Sequence, residues 1–583
     1  MYYNFKVKIP DVQGKIIRKK KGNSVYIEFE YDHTYDQVRK FNIPRRAIIG
    51  KACPDDVTAM NPNENYFKFF PDAVIPEERE EADRSCCLRI GSYMAIRRVV
   101  GEYGLDCILE PLIGKDIGLF MDLCAYSIVT EDNAGQYYPG FAFCHPLFTE
   151  GMRIYSDSKI SRFLSSLTVE QSVGFLNKWN KGRDHRQRVY ISYDSTNKNC
   201  QAGDIEFVEF GHPKVDLGLP VLNLSIAFDR SNRVPLFYED YPGSIADVSQ
   251  LQFMVDKTYS YGYRSIGFIL DRGYFSKENI RYMDACHYDF IMMVKGMKAL
   301  VCDLILGKKH TFEHDRACFI KPYGIYGTTV VQKLYADDEN DRHIHIFHNL
   351  ALEAAQSHAL EKKIESYAKF FSKHEGECIR FGDGYSGYFT LFYDKDGKFL
   401  FAKEKAEVIQ RELDLCGYFA IVTSARMSAE EALVLYKSRD SSEKLFSGGK
   451  SFLGGKSLRV VSSESAAAKT FVEFVALIIR NRIYTLLKDE MFKHEKKSNF
   501  MTVPMALKEL EKIEMVRRSD GVYRLDHAVS ATQKAILSAF GLNEDDVRKT
   551  ATEIGKLLKN GGSLKETIDE GDDDGEEEDD CIG

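Results

Sequence analysis

Residues 266–276 read Ile-Gly-Phe-Ile-Leu-Asp-Arg-Gly-Tyr-Phe-Ser, an apolar run that ends at Asp271. A short apolar run that stops at polar turn residues is typical of a buried β-strand. A second run, Val189–Tyr193, ends in the same way at Asp194. Because strand ends in an α/β sheet converge on one crevice, we expect the two aspartates to share a site.

Further strands and helices are predicted around these two runs. The segments Leu222–Phe228 and Val234–Tyr238 indicate an antiparallel pair of strands. Helical spacing at 247–259 and 276–286 alternates with another apolar strand at 288–294. This order predicts an α/β fold with a mixed sheet of about five strands.

The remaining segments divide the chain of 583 residues into modules, as its length allows. Shifts in hydrophobic period and in charge mark the predicted boundaries. The predicted modules are a β-rich basic module (1–75), a helical domain (80–183), two parts of the α/β core (184–296 and 416–492), an insertion domain (297–415), a small C-terminal module (496–562) and a disordered acidic tail (563–583).

Two segments are candidates for contact with DNA. Basic clusters at 15–21 and 39–46 suit DNA binding, although solvated basic turns explain them equally well. Residues 156–179 predict two short helices joined by a turn at Thr168. Such a pair suits a helix-turn-helix reader of DNA, but helical pairs without that role are common.

The composition is that of a soluble globular protein, with 44% hydrophobic and 28% charged residues. No apolar run is long enough for a membrane span and no signal peptide is visible, so we expect a cytoplasmic protein without membrane contact. The 13 cysteines contain no C-x-x-C pair, which favours reduced thiols over disulfides or a zinc site.

The net charge of -8 does not exclude a nucleic-acid partner. Residues 569–580 carry ten acidic groups and no basic one, so the rest of the chain has -8 + 10 = +2. This tail is either a solvating segment or a mimic of DNA that covers a basic groove.

Residues 428–450 contain a third candidate carboxylate. The segment begins with the spacing of a capping box and continues with helical periodicity. Tyr436, Arg439 and Glu443 follow one another at spacings of three and four, so we expect them on one face of one helix. The alternative is an amphipathic surface helix with ordinary ion pairs. Lys450 follows two glycines, which are expected to end the helix before it.

Three converging carboxylates without matching cations would repel one another, so Asp194, Asp271 and Glu443 are candidate metal ligands. Carboxylate oxygens favour Mg²⁺ or Mn²⁺ over zinc. Two such ions would support an in-line attack on phosphorus, which predicts metal-dependent phosphodiester cleavage and transfer. Asp229 and Asp247 also flank strands, but a turn and a helix cap explain them.

These motifs resemble those of the DDE transposases of the insertion-sequence-four family, bacterial enzymes with a Tyr-Arg-Glu-Lys signature. The resemblance covers roughly residues 80–490. One difference is a serine where the family's Pro-Gly-Asn-x-x-Asp segment has asparagine. The motifs are Tyr436-x2-Arg439-x3-Glu443-x6-Lys450, Asp271-Arg-Gly-Tyr-Phe-Ser, Asp194-Ser-Thr and Pro242-Gly-Ser-Ile-Ala-Asp247.

The resemblance implies a ribonuclease-H-like catalytic core that is interrupted by a β-rich insertion domain. It implies that Asp194, Asp271 and Glu443 bind two Mg²⁺ ions, with Mn²⁺ as a possible substitute. It further implies that Tyr436, Arg439 and Lys450 contact DNA near the cleaved end.

The implied function is transposition of an insertion sequence. Such an enzyme binds the terminal inverted repeats of double-stranded DNA as a homodimer, cuts the element free and joins its 3′ ends to target DNA. It would act at the nucleoid in the bacterial cytoplasm. Two alternatives remain open: a catalytically silent DNA-binding descendant, and a ribonuclease-H-like nuclease without strand transfer.

Overall fold

The computed structural model forms two compact units, Met1–Arg84 and Ser85–Gly583, which are described separately. Within strands and helices the side chains of a few residues, including Asp194, lie outside the description. The described residues are 2–3, 6–22, 24–36, 40–53, 56–71, 73, 84–185, 188–200, 205, 207–210, 219–245, 247–295, 298–439, 453, 457–460, 462–493 and 499–561.

The first unit is a five-stranded antiparallel sheet with strand order β1-β5-β4-β3-β2. Its small core contains Ile27, Ile49, Met60 and Tyr66 from the sheet and the helix. Asn63 caps that helix by accepting a hydrogen bond from the Tyr66 amide. The elements are β1 (Val7–Lys8), β2 (Ile16–Lys21), β3 (Ser24–Asp36), β4 (Phe41–Ala52), β5 (Ala59–Pro62) and α1 (Glu64–Phe69).

The second unit combines a large mixed sheet with helices. Its strands are β6 (Cys87–Arg89), β7 (Val189–Cys200), β8 (Val221–Asp229), β9 (Val234–Pro242), β10 (Ile266–Leu270), β11 (Asp289–Met293), β12 (Phe319–Ile320), β13 (Ile325–Gln332), β14 (Arg342–His348), β15 (Phe389–Tyr393), β16 (Phe399–Glu404), β17 (Tyr418–Thr423), β18 (Ser457–Leu458), β19 (Glu514–Arg517) and β20 (Tyr523–Leu525).

Helices of the described residues precede the sheet strands, connect them and follow them. They are α2 (Gly91–Tyr103), α3 (Leu105–Ile113), α4 (Ile117–Thr130), α5 (Tyr138–Cys144), α6 (Asp157–Ser166), α7 (Val169–Lys181), α8 (Asp247–Ser260), α9 (Lys277–Ala285), α10 (Lys298–Lys308), α11 (Leu350–Lys373), α12 (Asp383–Ser386), α13 (Ala406–Asp414), α14 (Ala429–Lys437), α15 (Ser463–Lys493), α16 (Val503–Leu510), α17 (Ala531–Ala539) and α18 (Glu544–Gly561).

The large sheet has ten strands in the described residues, with β12-β13-β14-β17-β11-β10-β7-β8-β9 along its path and β18 paired to β7. Strands β7, β10 and β11 are parallel, and β8 and β9 continue the sheet as antiparallel neighbours. The mixed α/β prediction is therefore confirmed.

The prediction of five strands is wrong, because β14 pairs with β17 and brings β13 and β12 into the same sheet. Strands β12, β13 and β14 come from the segment 297–415, which was expected to be a β-rich insertion domain. In that segment a two-stranded pair, β15 and β16, lies outside the large sheet and packs with the 24-residue helix α11. The segment is thus partly an extension of the sheet and is rich in helix as well as strand.

Successive side chains of a strand point to opposite faces of the sheet, so the buried residues of the large sheet belong to two apolar clusters. Ile269 and Ile291 pack with α14, whereas Leu270 and Phe290 belong to the main core. The long helix α15 crosses this main core and is buried on nearly all sides. It contacts both β9 and the helix α4.

The predicted helical domain and the predicted C-terminal module pack against each other. Strand β19 pairs with β6 on one side and with β20 on the other. The hairpin of β19 and β20 thus completes a sheet that begins more than 400 residues earlier. Among the described helices, none has the length and apolarity that a membrane crossing requires.

Candidate active site

Asp271 and Asp194 lie beside each other on adjacent parallel strands. Leu270, the last residue of β10, pairs with Tyr193 of β7, and each is followed directly by one of the aspartates. Adjacent strands are separated by about 4.8 Å, so the two backbones approach closely at this position. The sequence prediction that these two residues converge at the end of an apolar strand is consistent with this register.

Asp194 does not end its strand, as the sequence analysis expected. Strand β7 continues to Cys200, and Asp194 pairs with Ile226 of β8 inside it. The strand is extended because β8 continues as its antiparallel partner beyond the point where β10 stops. The end of β10 therefore defines the site more clearly than the end of β7.

Asp271 forms an ion pair with Arg439. The distance from Arg439 Nη1 to Asp271 Oδ1 is 2.5 Å, and the side chains are 15% and 36% exposed respectively. The arginine comes from the chain that follows α14, whereas the aspartate follows β10. The structure thus brings together two residues that the sequence had assigned to metal binding and to DNA contact.

The prediction that one helix carries Tyr436, Arg439 and Glu443 is wrong in its extent. The capping box at Ser428 is present, but α14 ends at Lys437, and Arg439 lies in the turn that follows. The Ser438 amide still donates to the Val434 carbonyl, and the helix ends there. Glu443 and Lys450 lie outside the described residues.

Tyr436 is largely buried. Its side chain is 6% exposed and belongs to the apolar cluster that holds α14 against the sheet. The guanidinium carbon of Arg439 lies 5.4 Å from the centre of the Tyr436 ring, which is close enough for a cation–π contact. Tyr436 therefore supports Arg439, and its predicted contact with DNA stays a prediction.

The donor chemistry at Asp271 suits a hard divalent cation. A carboxylate that already accepts a guanidinium can accept a metal ion in its place, and Asp194 is one strand away. No three His, Cys, Asp or Glu side chains are grouped as metal ligands in the part of the chain that the structure describes. The side chains of Asp194 and Glu443 are not included in that part.

A second ion pair lies further along β7, and the sequence analysis did not single it out. Lys198 and Glu473 of α15 form a salt bridge whose side chains are 3% and 9% exposed. Asn133 donates to the other oxygen of Glu473 at 3.0 Å. Near this pair, burial raises the pKa of Asp240 to about 7, with Lys198 acting in the opposite direction. The spacing of Lys198 after Asp194 gave no signal, because the partner is 275 residues away.

Two further sequence interpretations can be compared with the structure. Asp229 accepts hydrogen bonds from the amide and the side chain of Asn232, so its expected role in a turn is confirmed. The helices α6 and α7 are present, and Thr168 forms a capping box at the start of α7. Trp179 of α7 is buried and donates to the Pro235 carbonyl at 2.9 Å. A DNA-reading role for these helices stays a prediction.

Residues 193–479 match the model of the family described as transposase DDE domain. The matched segment is just under half of the chain and includes Asp194, Asp271 and Glu443. The match supports a transposase DDE domain in this segment. No curated protein matches the chain.

Two solved structures of transposases show a weak likeness to the chain. A piggyBac transposase in a synaptic complex with hairpin DNA has 8% identity and a TM-score of 0.31, with 83% of this chain and 79% of that chain covered. A Mos1 transposase in a paired-end complex with the left transposon end has 11% identity and a TM-score of 0.13, with 39% and 65% covered. These TM-scores are too low to carry an argument about fold or partners.

Proposed function

We propose that this protein is a transposase that binds the inverted repeats at the ends of an insertion sequence, cleaves the DNA and transfers the 3′ ends. The observation that carries the proposal is the register of β7 and β10, which aligns Asp194 with Asp271 inside the segment that matches the DDE domain. The Tyr-Arg-Glu-Lys spacing at Tyr436, Arg439, Glu443 and Lys450 supports the insertion-sequence-four family in particular.

The strand order supports a ribonuclease-H-like core within the large sheet. Strands β9, β8 and β7 are antiparallel neighbours, and β10 and β11 follow β7 in parallel orientation. Among these five strands β7 is central, and it carries Asp194. Strand β10 is followed at its carboxyl end by Asp271, where side chains converge on a crevice.

In the proposed site Asp194, Asp271 and Glu443 hold divalent metal ions, with Mg²⁺ preferred and Mn²⁺ as a substitute. Bound metal lowers the pKa of a water or hydroxyl nucleophile and stabilises the charge on the leaving oxygen. The chain itself fixes the carboxylates by the pairing of β7 with β10. Arg439 and Lys450 supply positive charge for the phosphates next to the scissile bond.

The proposed partners are double-stranded DNA, as element end and as target, and a second copy of the chain. Basic residues on β2 and β4 of the first unit are one candidate for contact with DNA. Lys19 and Arg46 are exposed there, and each is paired with a glutamate, Glu28 or Glu30, that is largely buried beneath it. The glutamates hold the basic groups in place at the surface. We further propose that the protein acts in the bacterial cytoplasm.

A test is the cleavage of a DNA fragment that carries the element's own ends by purified protein with Mg²⁺. We expect Asp271→Ala to reduce cleavage by about 10³-fold or more, because loss of a metal ligand removes several kcal/mol of transition-state stabilisation. Binding of the same DNA, measured by gel shift, should remain.

Asp289→Asn is the matched control for this test. Asp289 also pairs with an arginine, Arg188, and stands at the amino end of β11, away from the end of β10. This variant should cleave as the unchanged protein does. Undiminished cleavage by Asp271→Ala, or equal loss in both variants, would refute the assignment of Asp271.

A further inference from the structure

The ion pair between Arg439 and Asp271 has a consequence for how the proposed metal site is loaded. We propose that Arg439 occupies the carboxylate of Asp271 until DNA arrives, so that metal binding at this site depends on bound DNA. The inference rests on the function proposed above. It gives Arg439 a second role, as a positioning residue that controls access to a metal ligand.

The geometry makes the guanidinium and a metal ion competitors. Arg439 Nη1 lies 2.5 Å from Asp271 Oδ1, so the two groups form a close ion pair at that oxygen. A divalent cation bound to the same oxygen would lie within a few ångströms of the guanidinium, where two positive charges repel strongly. A metal ion can therefore take Oδ1 only when the arginine has moved away.

The local structure allows Arg439 to move. The residue lies beyond the last turn of α14, and its amide donates to the Tyr436 carbonyl at 3.1 Å. Its side chain pairs with Asp271, whose side chain is 36% exposed. Because the Asp271 carboxylate keeps contact with solvent, separating this pair costs less than separating a pair that is buried on both sides. The ring of Tyr436 is held in the apolar cluster, so it stays in place when the Arg439 side chain leaves Asp271.

A DNA phosphate is the partner that would release Asp271. Arginine binds phosphate oxygens through two parallel hydrogen bonds, a geometry that its planar guanidinium matches well. When Arg439 turns to the phosphate, Asp271 loses its cation and gains affinity for the metal. By linkage, DNA must then raise metal affinity and metal must raise DNA affinity by the same factor.

The experiment is a titration of the purified full chain with Mn²⁺, in which free Mn²⁺ is measured by electron paramagnetic resonance. It is carried out with and without a DNA duplex that ends at the terminal base pair of the element and so needs no cleavage there. We expect Arg439→Gln to bind Mn²⁺ about tenfold more tightly than the unchanged protein without DNA. With DNA this difference should disappear, because the arginine has already left the carboxylate.

Arg188→Gln is the matched control, because it removes the same charge from an arginine that pairs with Asp289. Its Mn²⁺ affinity should equal that of the unchanged protein. Equal affinities of Arg439→Gln and the unchanged protein without DNA would overturn the inference, as would the same gain in Arg188→Gln. The variant Asp271→Asn distinguishes failure of this inference from failure of the proposed function. If Asp271→Asn binds Mn²⁺ as tightly as the unchanged protein, the metal site itself is refuted.

Discussion

Two ion pairs of the second unit differ in how they are built. Lys198 and Glu473 are both buried and belong to regular elements, β7 and the long helix α15. Arg439 and Asp271 are more exposed, and each lies just beyond the end of an element. The first pair joins a strand to a core helix, whereas the second joins two chain segments that leave the sheet.

The comparison separates a structural charge pair from an exchangeable one. Burial makes an uncompensated charge costly, so Lys198 and Glu473 must stay together in the folded protein. A pair that remains partly solvated is weak, so its members can take other partners. The first pair therefore holds α15 against β7, whereas we propose that the members of the second pair are exchanged for metal and DNA.

The largest expected effect concerns the buried pair. Lys198→Met should lower the free energy of unfolding by about 3–5 kcal/mol, because it removes the lysine that pairs directly with the buried Glu473. Urea unfolding followed by circular dichroism measures this change. The double variant Lys198→Met with Glu473→Leu should recover much of the loss.

The matched control is Lys257→Met, which removes a lysine from the more exposed pair with Glu239. This variant should lose about 1 kcal/mol or less, as surface pairs do. If Lys198→Met costs no more than this control, the distinction between the two kinds of ion pair fails.

A smaller effect is expected from Asp240, near the buried pair. Burial raises its pKa from 3.8 to about 7, so the folded protein holds a proton that the unfolded chain releases between these values. Its contribution to stability is therefore present at low pH and is lost as the pH rises through about 7. Asp240→Asn cannot ionise, so its stability relative to the unchanged protein should be greater at pH 8 than at pH 5.

The melting temperature at the two pH values measures this difference. Asp337→Asn is the control, because its ion pairs with Lys277 and Arg281 lower the pKa of Asp337 to about 2, below the range that is compared. Its relative stability should be the same at both pH values. A flat profile for Asp240→Asn would contradict the proton that we assign to Asp240.

Local sequence patterns predicted the elements that form the candidate site. The apolar runs before Asp194 and Asp271 are strands, and the capping box at Ser428 begins a helix. These features depend on neighbouring residues, so one sequence is enough to identify them. The end of α14 was missed because the helical spacing continues past Lys437, and periodicity alone does not locate a helix terminus.

Long-range pairing could not be predicted in this way. Strand β14 reads as a short strand in the sequence, but nothing in its residues indicates that β17 is its neighbour. The same is true of β6 and β19, and of Lys198 and Glu473. Which partners meet depends on tertiary packing of distant segments, and their spacing in the chain carries no signal for it.

The most direct test of the central claim is the position of Mn²⁺ in crystals of the protein bound to its element-end DNA, located by anomalous scattering. The account predicts a Mn²⁺ peak within coordination distance of both Asp194 and Asp271, with Arg439 on a DNA phosphate. Mn²⁺ bound elsewhere, with Asp271 still paired to Arg439 next to the DNA, would contradict it.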